Sequence, residues 1–333
     1  MRRLLTILLV VLLVGGIGYT AYVGYEGSRQ AVSVDEARSR QCATPDVQLG
    51  WEYEAINYDI ADDATLSASD PEMRDCESQG MAAGDEIVTE DGVRIAGWYV
   101  PAANGAGPSA PTVVLVHGFS ANKSQILGYG AGLHETFNLV AFDQRNGGRS
   151  TGTQTTYGVL EQNDLHAVID WLVEEKGPSW IGVLGNSMGA GTAITEARTD
   201  PRVQALALDS MHTRLSYQFE QRLIHAGHPP YPGTWAVFLG ARIRTGLDLG
   251  DADAADALAD LGTRPMLLTH GTADDEDLPE RTEQFAADAE AAGIPVELHW
   301  CEGAGHGRVV ETCPDEFATW VFDFFTAAAA GAS

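Results

Sequence analysis

The stretch VLGNSMGAG, Val183 to Gly191, sets one serine between glycines, directly after an apolar run and before small residues. Ser187 thus stands at the centre of a G-x-S-x-G pattern. Such a serine is either a reactive group on a sharp strand-to-helix turn or an ordinary loop hydroxyl. The two readings differ in their surroundings. A reactive serine needs a base, an acid and oxyanion donors brought to it from other parts of the chain.

Outward from this stretch the chain alternates. The runs TVVLVHG (Thr112–Gly118), NLVAFD (Asn138–Asp143), WIGVLGN (Trp180–Asn186), VQALALD (Val203–Asp209), PMLLTH (Pro265–His270) and VELHW (Val296–Trp300) are continuously apolar or nearly so. Continuous apolar runs that end in turn residues are the mark of strands buried on both faces. Between them lie helical patterns. NDLHAVIDWLVEE repeats Leu165, Val168, Ile169, Leu172 and Val173 at helical spacing, with Asn163 as the expected N-cap, and further helices are expected at 280–292 and 314–328. The alternation predicts an α/β domain over residues 84–330, with a mostly parallel sheet covered by helices on both faces. Glu86–Pro101 reads as a hairpin that turns at Asp91-Gly92. Residues 26–83 read as an extension, in which Trp51, Tyr53, Ile56 and Tyr58 suit a short strand face. Residues 211–262 break the alternation and are read as a lid over a pocket or as a structural insertion.

In sheets of this kind functional side chains gather at the carboxyl ends of the strands. Those ends carry His117-Gly118-Phe119, Asp143, Ser187, Asp209, Asp274 or Asp275, and His306. Five segments in this order resemble the α/β-hydrolase superfamily over roughly three quarters of the chain. HGF resembles its oxyanion loop, and DQRNGGRS its D-x-R-G-x-G-x-S block, with Asn146 at a common glycine position. GNSMG resembles its nucleophile elbow, HGTADDEDLP its acid loop and GAGHG its histidine loop.

The resemblance implies an α/β-hydrolase fold and a triad. Ser187 would be the nucleophile, His306 the general base and acid, and an aspartate the group that orients the imidazole. The spacing G-x-x-D selects Asp274, whereas counting back from Leu278-Pro279 selects Asp275; Asp274 is preferred, with Asp209 a third candidate. The backbone N–H groups of Phe119 and Met188 would form the oxyanion hole. Asp143 and Arg145 are expected to brace loops by ion pairing, and His117 to support the oxyanion loop. His225 and His228 sit at i, i+3 spacing without a carboxylate in register, so no metal and no cofactor are expected.

Charge and targeting signals complete the reading. The 333 residues include 47 acidic and 20 basic side chains, a formal net charge of −27, which excludes nucleic acid as a partner. Arg2 and Arg3 precede an uncharged, mostly apolar run from Leu4 to Tyr25. That run is expected to be a signal-anchor over residues 1–25, with a cleaved signal peptide as the alternative, and the body is expected outside the cytoplasm. Cys42, Cys76, Cys301 and Cys313 allow three pairings, and proximity favours Cys42–Cys76 with Cys301–Cys313.

The expected function is a serine hydrolase acting on a carboxylic ester or thioester of a small acyl substrate. HGFSANKS lacks the H-G-x-x-E form of monoacylglycerol lipases. Peptidase, amidase or acyltransferase activity would use the same triad. A catalytically silent, membrane-anchored binding protein is the alternative of another class.

Overall fold

The computed structural model describes residues 2–33, 41–42, 44–57, 74–75 and 84–331, and of 2–12, 41–42 and 74–75 the backbone alone. The expected positions Tyr58 and Cys76 lie outside the described residues, and with Cys76 the pairing Cys42–Cys76.

The apolar runs form one eight-stranded sheet. Its strands are β1 (Glu54–Ile56), β2 (Gly97–Val100), β3 (Thr112–Val116), β4 (Asn138–Phe142), β5 (Ile181–Asn186), β6 (Ala205–Asp209), β7 (Met266–Gly271) and β8 (Val296–Cys301). The spatial order is β8-β7-β6-β5-β3-β4-β2-β1. Neighbours from β8 through β4 pair in parallel, and β2 pairs antiparallel with both β4 and β1. β3, β4 and β6 are buried along their whole length, as uninterrupted Val, Leu, Phe and Ala sequences require when both faces are covered.

Two apolar cores flank the sheet. One joins it to α2 (Glu161–Glu175), α3 (Met188–Ala197) and α6 (Pro279–Ala291); the other joins it to α7 (Pro314–Gly331). Residues 211–262 supply α4 (Leu215–His225) and α5 (Pro230–Thr245), and the N-terminus forms α1 (Arg2–Val32). A third apolar cluster unites Val23, Ala31 and Val32 of α1 with Phe219, Val237 and Met188.

Several expectations change in detail. α2 begins at Glu161, so Asn163 lies within its first turn rather than at its cap. The Glu161 carboxylate instead accepts hydrogen bonds from the Thr156 and Gly158 N–H groups, which fixes the preceding turn. The Glu86–Pro101 hairpin is only a tip, with a single bridge between Val88 and Arg94, because the chain beyond turns into β2 and pairs with β4. Of the aromatic extension, Trp51 stacks on His134 and Tyr53 meets Trp98 edge-on, while β1 is limited to Glu54–Ile56. Among the described residues no helix is long and apolar enough to cross a membrane. The end of the expected anchor is docked on protein: Val23 and Gly24 are buried where α1 packs along α5, while Leu13, Val14 and Ile17 stay exposed.

Candidate active site

The site is built where β5 meets α3. Ser187 joins them with φ 50° and ψ −115°, a conformation that L-residues rarely adopt. The turn closes because its flanks lack side chains. A Cβ on Gly185 would lie 2.4 Å from the Gly189 carbonyl oxygen, and one on Gly189 would lie 2.1 Å from that of Val116. The Ser187 N–H donates to the Asp209 carbonyl, tying the turn to β6. α3 then points the positive end of its dipole at the serine.

Ser187 Oγ lies 2.8 Å from His306 Nε2, and His306 Nδ1 lies 2.9 Å from Asp274 Oδ2. The chain separations are 119 and 32 residues, so only tertiary folding brings these groups together. Asp274 also accepts from the N–H groups of Glu276 and Asp277, which locks the carboxylate toward the ring. Asp275 points away: it is largely exposed, and among the described residues its ion pair is with His225 at 3.6 Å. Asp209 is buried without touching His306, and accepts from Asn186 Nδ2 and Thr269 Oγ1. Among the described residues no acceptor pairs with the backbone N–H of Phe119 or Met188.

The electrostatics follow from burial and neighbours. Burial disfavours the charged His306 ring, but the hydrogen bond and charge of Asp274, joined by Asp277 and Glu276, outweigh it and raise its pKa to about 9. Burial pushes Asp274 up, yet His306 and His270 reverse this and leave it below the usual carboxylate range. Asp277, 3.7 Å from His306 Nδ1, is raised to about 7, chiefly by burial.

The bracing residues stand behind the site. Asp143 is fully buried and accepts from Lys123 Nζ at 2.7 Å, from the Lys123 N–H and from the Arg149 N–H. Arg145 clamps Asp164 and Asp91. Asn146 takes φ 58°, the left-handed region where glycine is favoured and asparagine is tolerated, which explains its place in the DQRNGG block. His117 bonds the Gly118 carbonyl and accepts from the Gln144 N–H, so it holds the loop that presents Phe119. Cys301 and Cys313 form a disulfide that brackets His306.

Residues 113–320 match the Alpha/beta hydrolase family. The chain belongs to this family. Among curated relatives, the uncharacterized protein YfhR of Salmonella typhi is 30% identical over 204 residues, 56% of this chain and 63% of that protein. The carbamate hydrolase RutD of Klebsiella pneumoniae, so described provisionally, is 29% identical over 171 residues, 46% of this chain and 59% of that protein. The chain thus spans less than two thirds of the length of these curated relatives. Among solved structures, the Pyrococcus furiosus esterase Pf2001 superposes with a TM-score of 0.65 at 22% identity, covering 87% of this chain and 96% of that one. The ferulic-acid-bound Est1E of Butyrivibrio proteoclasticus gives 0.57 at 17% identity, over 73% of this chain and 99% of that one. These likenesses establish a shared fold.

The sequence reading missed several members of this α/β-hydrolase site. Asp277 sits two positions beyond Asp275 in the same acidic run, and its position was the available signal. Gln218 from α4 donates to Asp277 at 2.7 Å, a contact across 59 residues with no sequence signal. Tyr157 stacks on Phe119 with ring centroids 5.2 Å apart, and it too has a positive φ, 54°. Among the described residues one cluster, His166, Glu196 and Asp200, has metal-ligand spacing. Arg202 already engages the Asp200 carboxylate through Nε and Nη2, so the group reads as an ion-pair network. His225 and His228 do not join it.

Proposed function

We propose that the protein is a serine hydrolase that cleaves carboxylic esters through an acyl-enzyme on Ser187. The observation that carries this reading is the continuous hydrogen-bonded line from Ser187 through His306 to Asp274. Ser187 Oγ attacks the ester carbonyl carbon and forms a new C–O bond while His306 Nε2 takes the hydroxyl proton. The carbonyl oxygen becomes an oxyanion facing the N–H groups of Phe119 and Met188, each such donor being worth about 3–4 kcal/mol where measured. Collapse breaks the bond to the leaving oxygen, which departs as the alcohol with the proton from His306. Water repeats the sequence: it loses a proton to His306, adds to the acyl carbon and releases the acid and Ser187. Asp274 holds the Nδ1–H and stabilises the imidazolium throughout.

The esterase and hydrolase names of similar proteins support an ester or related acyl substrate. Peptidase, amidase and acyltransferase chemistry would run on the same groups. The deciding experiment is labelling by a fluorophosphonate together with turnover of simple esters. Wild type is expected to label at Ser187 and to hydrolyse esters, and Ser187→Ala to do neither, with a loss of at least about 10⁴-fold. A folded wild type that neither labels nor turns over ester overturns the enzyme reading and favours a silent binding protein.

We also propose that α1 seats the protein on a membrane with its body outside the cytoplasm. The apolar run Leu4–Tyr25 behind Arg2 and Arg3 supports this. So do the exposed Leu13, Val14 and Ile17 of α1 and the exposed Tyr231, Trp235 and Ile243 of α5, aromatic and aliphatic groups of the kind found at bilayer interfaces. The Cys301–Cys313 disulfide fits an oxidising compartment. Fractionation with alkaline washing tests it: release of the intact chain into the wash would overturn membrane seating.

A further inference from the structure

A cavity of about 560 Å³ lies between the loop that carries Phe119 and the N-terminal helix. Phe119 and Tyr157, stacked on each other, line it together. Val23, Gly27 and Ala31 of α1 make one wall, and Phe219, Leu223 and Val237 of the 211–262 insert make another. The size falls within the range of small-molecule sites.

α1 is a fixed part of this wall. A Cβ on Gly24 would lie 2.8 Å from the Ala236 carbonyl oxygen, and one on Gly27 would lie 2.5 Å from the Val237 side chain. The two helices therefore pack at backbone distance. Arg244 of α5 donates to Ser28 Oγ and to the Tyr25 carbonyl, and the Val32 carbonyl accepts from the Thr155 N–H. The apolar cluster that includes Val23 and Ala31 runs on to Met188, the residue next to Ser187.

Two features identify what fits. The charged groups at the cavity are already matched, Arg222 by Glu276 at 2.9 Å and Glu26 by Arg29 at 3.2 Å, so its apolar walls suit an uncharged chain. The second feature is position. The leaving oxygen must lie against His306, which protonates it, whereas no residue of the His306 loop lines the cavity. The cavity instead adjoins Phe119, whose N–H is the proposed oxyanion donor, a place suited to the acyl chain rather than to the leaving alcohol.

We propose that this cavity holds the acyl chain of a fatty ester and that α1 is one wall of the substrate site. The inference rests on the ester-hydrolase reading above and names its substrate class. It is tested with the full chain in detergent, using p-nitrophenyl butyrate and laurate. Gln30→Trp narrows the cavity from α1 and Ala226→Trp from the end of α4, at two exposed lining positions that have room for a larger ring. The laurate-to-butyrate ratio of kcat/KM is expected to fall at least about tenfold in each, as lost apolar contacts with a chain of methylenes require. Gln30→Asn and Ala226→Ser should stay within about twofold of the wild-type ratio. Fluorophosphonate labelling of Ser187 reports that each variant is folded, and an unchanged ratio in labelled tryptophan variants overturns the proposal. Wild type alone gives a second readout: a dodecyl phosphonate should label Ser187 at least about tenfold faster than an ethyl phosphonate, and equal rates overturn the proposal. Chain-length preference in labelling without any ester turnover would sink the ester reading and leave the cavity assignment standing. Ester turnover without chain preference would do the reverse.

Discussion

The carboxyl edge of the sheet and the helical cap above it are organised on opposite terms. At the edge the named polar groups are held from several sides: Asp274 by two N–H groups, Asp143 by two N–H groups and Lys123, Arg145 by two carboxylates. In the cap the helices meet mainly through apolar groups, with Arg244 to Ser28 and Gln218 to Asp277 as polar ties, and its outer face leaves Tyr231, Trp235 and Ile243 exposed. The edge is built for one geometry, because a serine, an imidazole and a carboxylate react only when aligned to fractions of an ångström. The cap is built for a shape and a surface, which many sequences satisfy. On the proposed reading, chemistry belongs to the first region and selection of substrate to the second.

The largest test of this contrast is Asp274→Asn, expected to lower kcat on a simple ester by about 10³–10⁴-fold through loss of the correct tautomer and of charge. Asp275→Asn should stay within about twofold, because its exposed carboxylate pairs with His225 and not with His306 among the described residues. Steady-state kinetics on both variants checks this, and equal losses would break the assignment of the acid.

A middle-sized effect is expected from the disulfide. Replacing both Cys301 and Cys313 by serine opens a loop of 12-residue separation around His306. Unfolding in urea should show a loss of about 2–3 kcal/mol.

The smallest expected effect is a shift in pH dependence. His306 acts as a base only when neutral, and with its pKa at about 9 the acid limb of kcat/KM should rise toward alkaline pH. Asp277→Asn removes a negative charge 3.7 Å from the ring, which makes the imidazolium less stable and lowers the pKa of His306. The limb then moves to lower pH, and activity near pH 8, where the wild-type Asp277 is ionised, gains roughly two- to fivefold. A limb that stays in place, or moves upward, would show that Asp277 is electrostatically silent toward His306.

Much of the edge was legible from residue order alone. Buried parallel strands must be continuously apolar, so Thr112–Val116 and Ala205–Asp209 announced themselves, and strand ends are where reactive groups gather. The elbow was legible because Gly185 and Gly189 are demanded by contacts that no side chain survives. The choice of acid was not settled there. Asp274 and Asp275 are adjacent and chemically identical, and only the turn that gives Asp274 two backbone N–H donors aims it at His306.

The cap was hardly legible. Helical periodicity shows that a segment has an apolar face but not which surface covers it. The N-terminal run reads in sequence as a span, since length and hydropathy are local properties. Its packing through Gly24 and Gly27 onto Ala236 and Val237 joins residues more than 200 positions apart, and no local pattern encodes such a contact. The sequence by itself determined the sheet, the strained serine turn and the set of groups available to it. Tertiary structure decided which aspartate faces the histidine and that α1 walls a cavity at Phe119, because both depend on distances that exist only after the chain has folded.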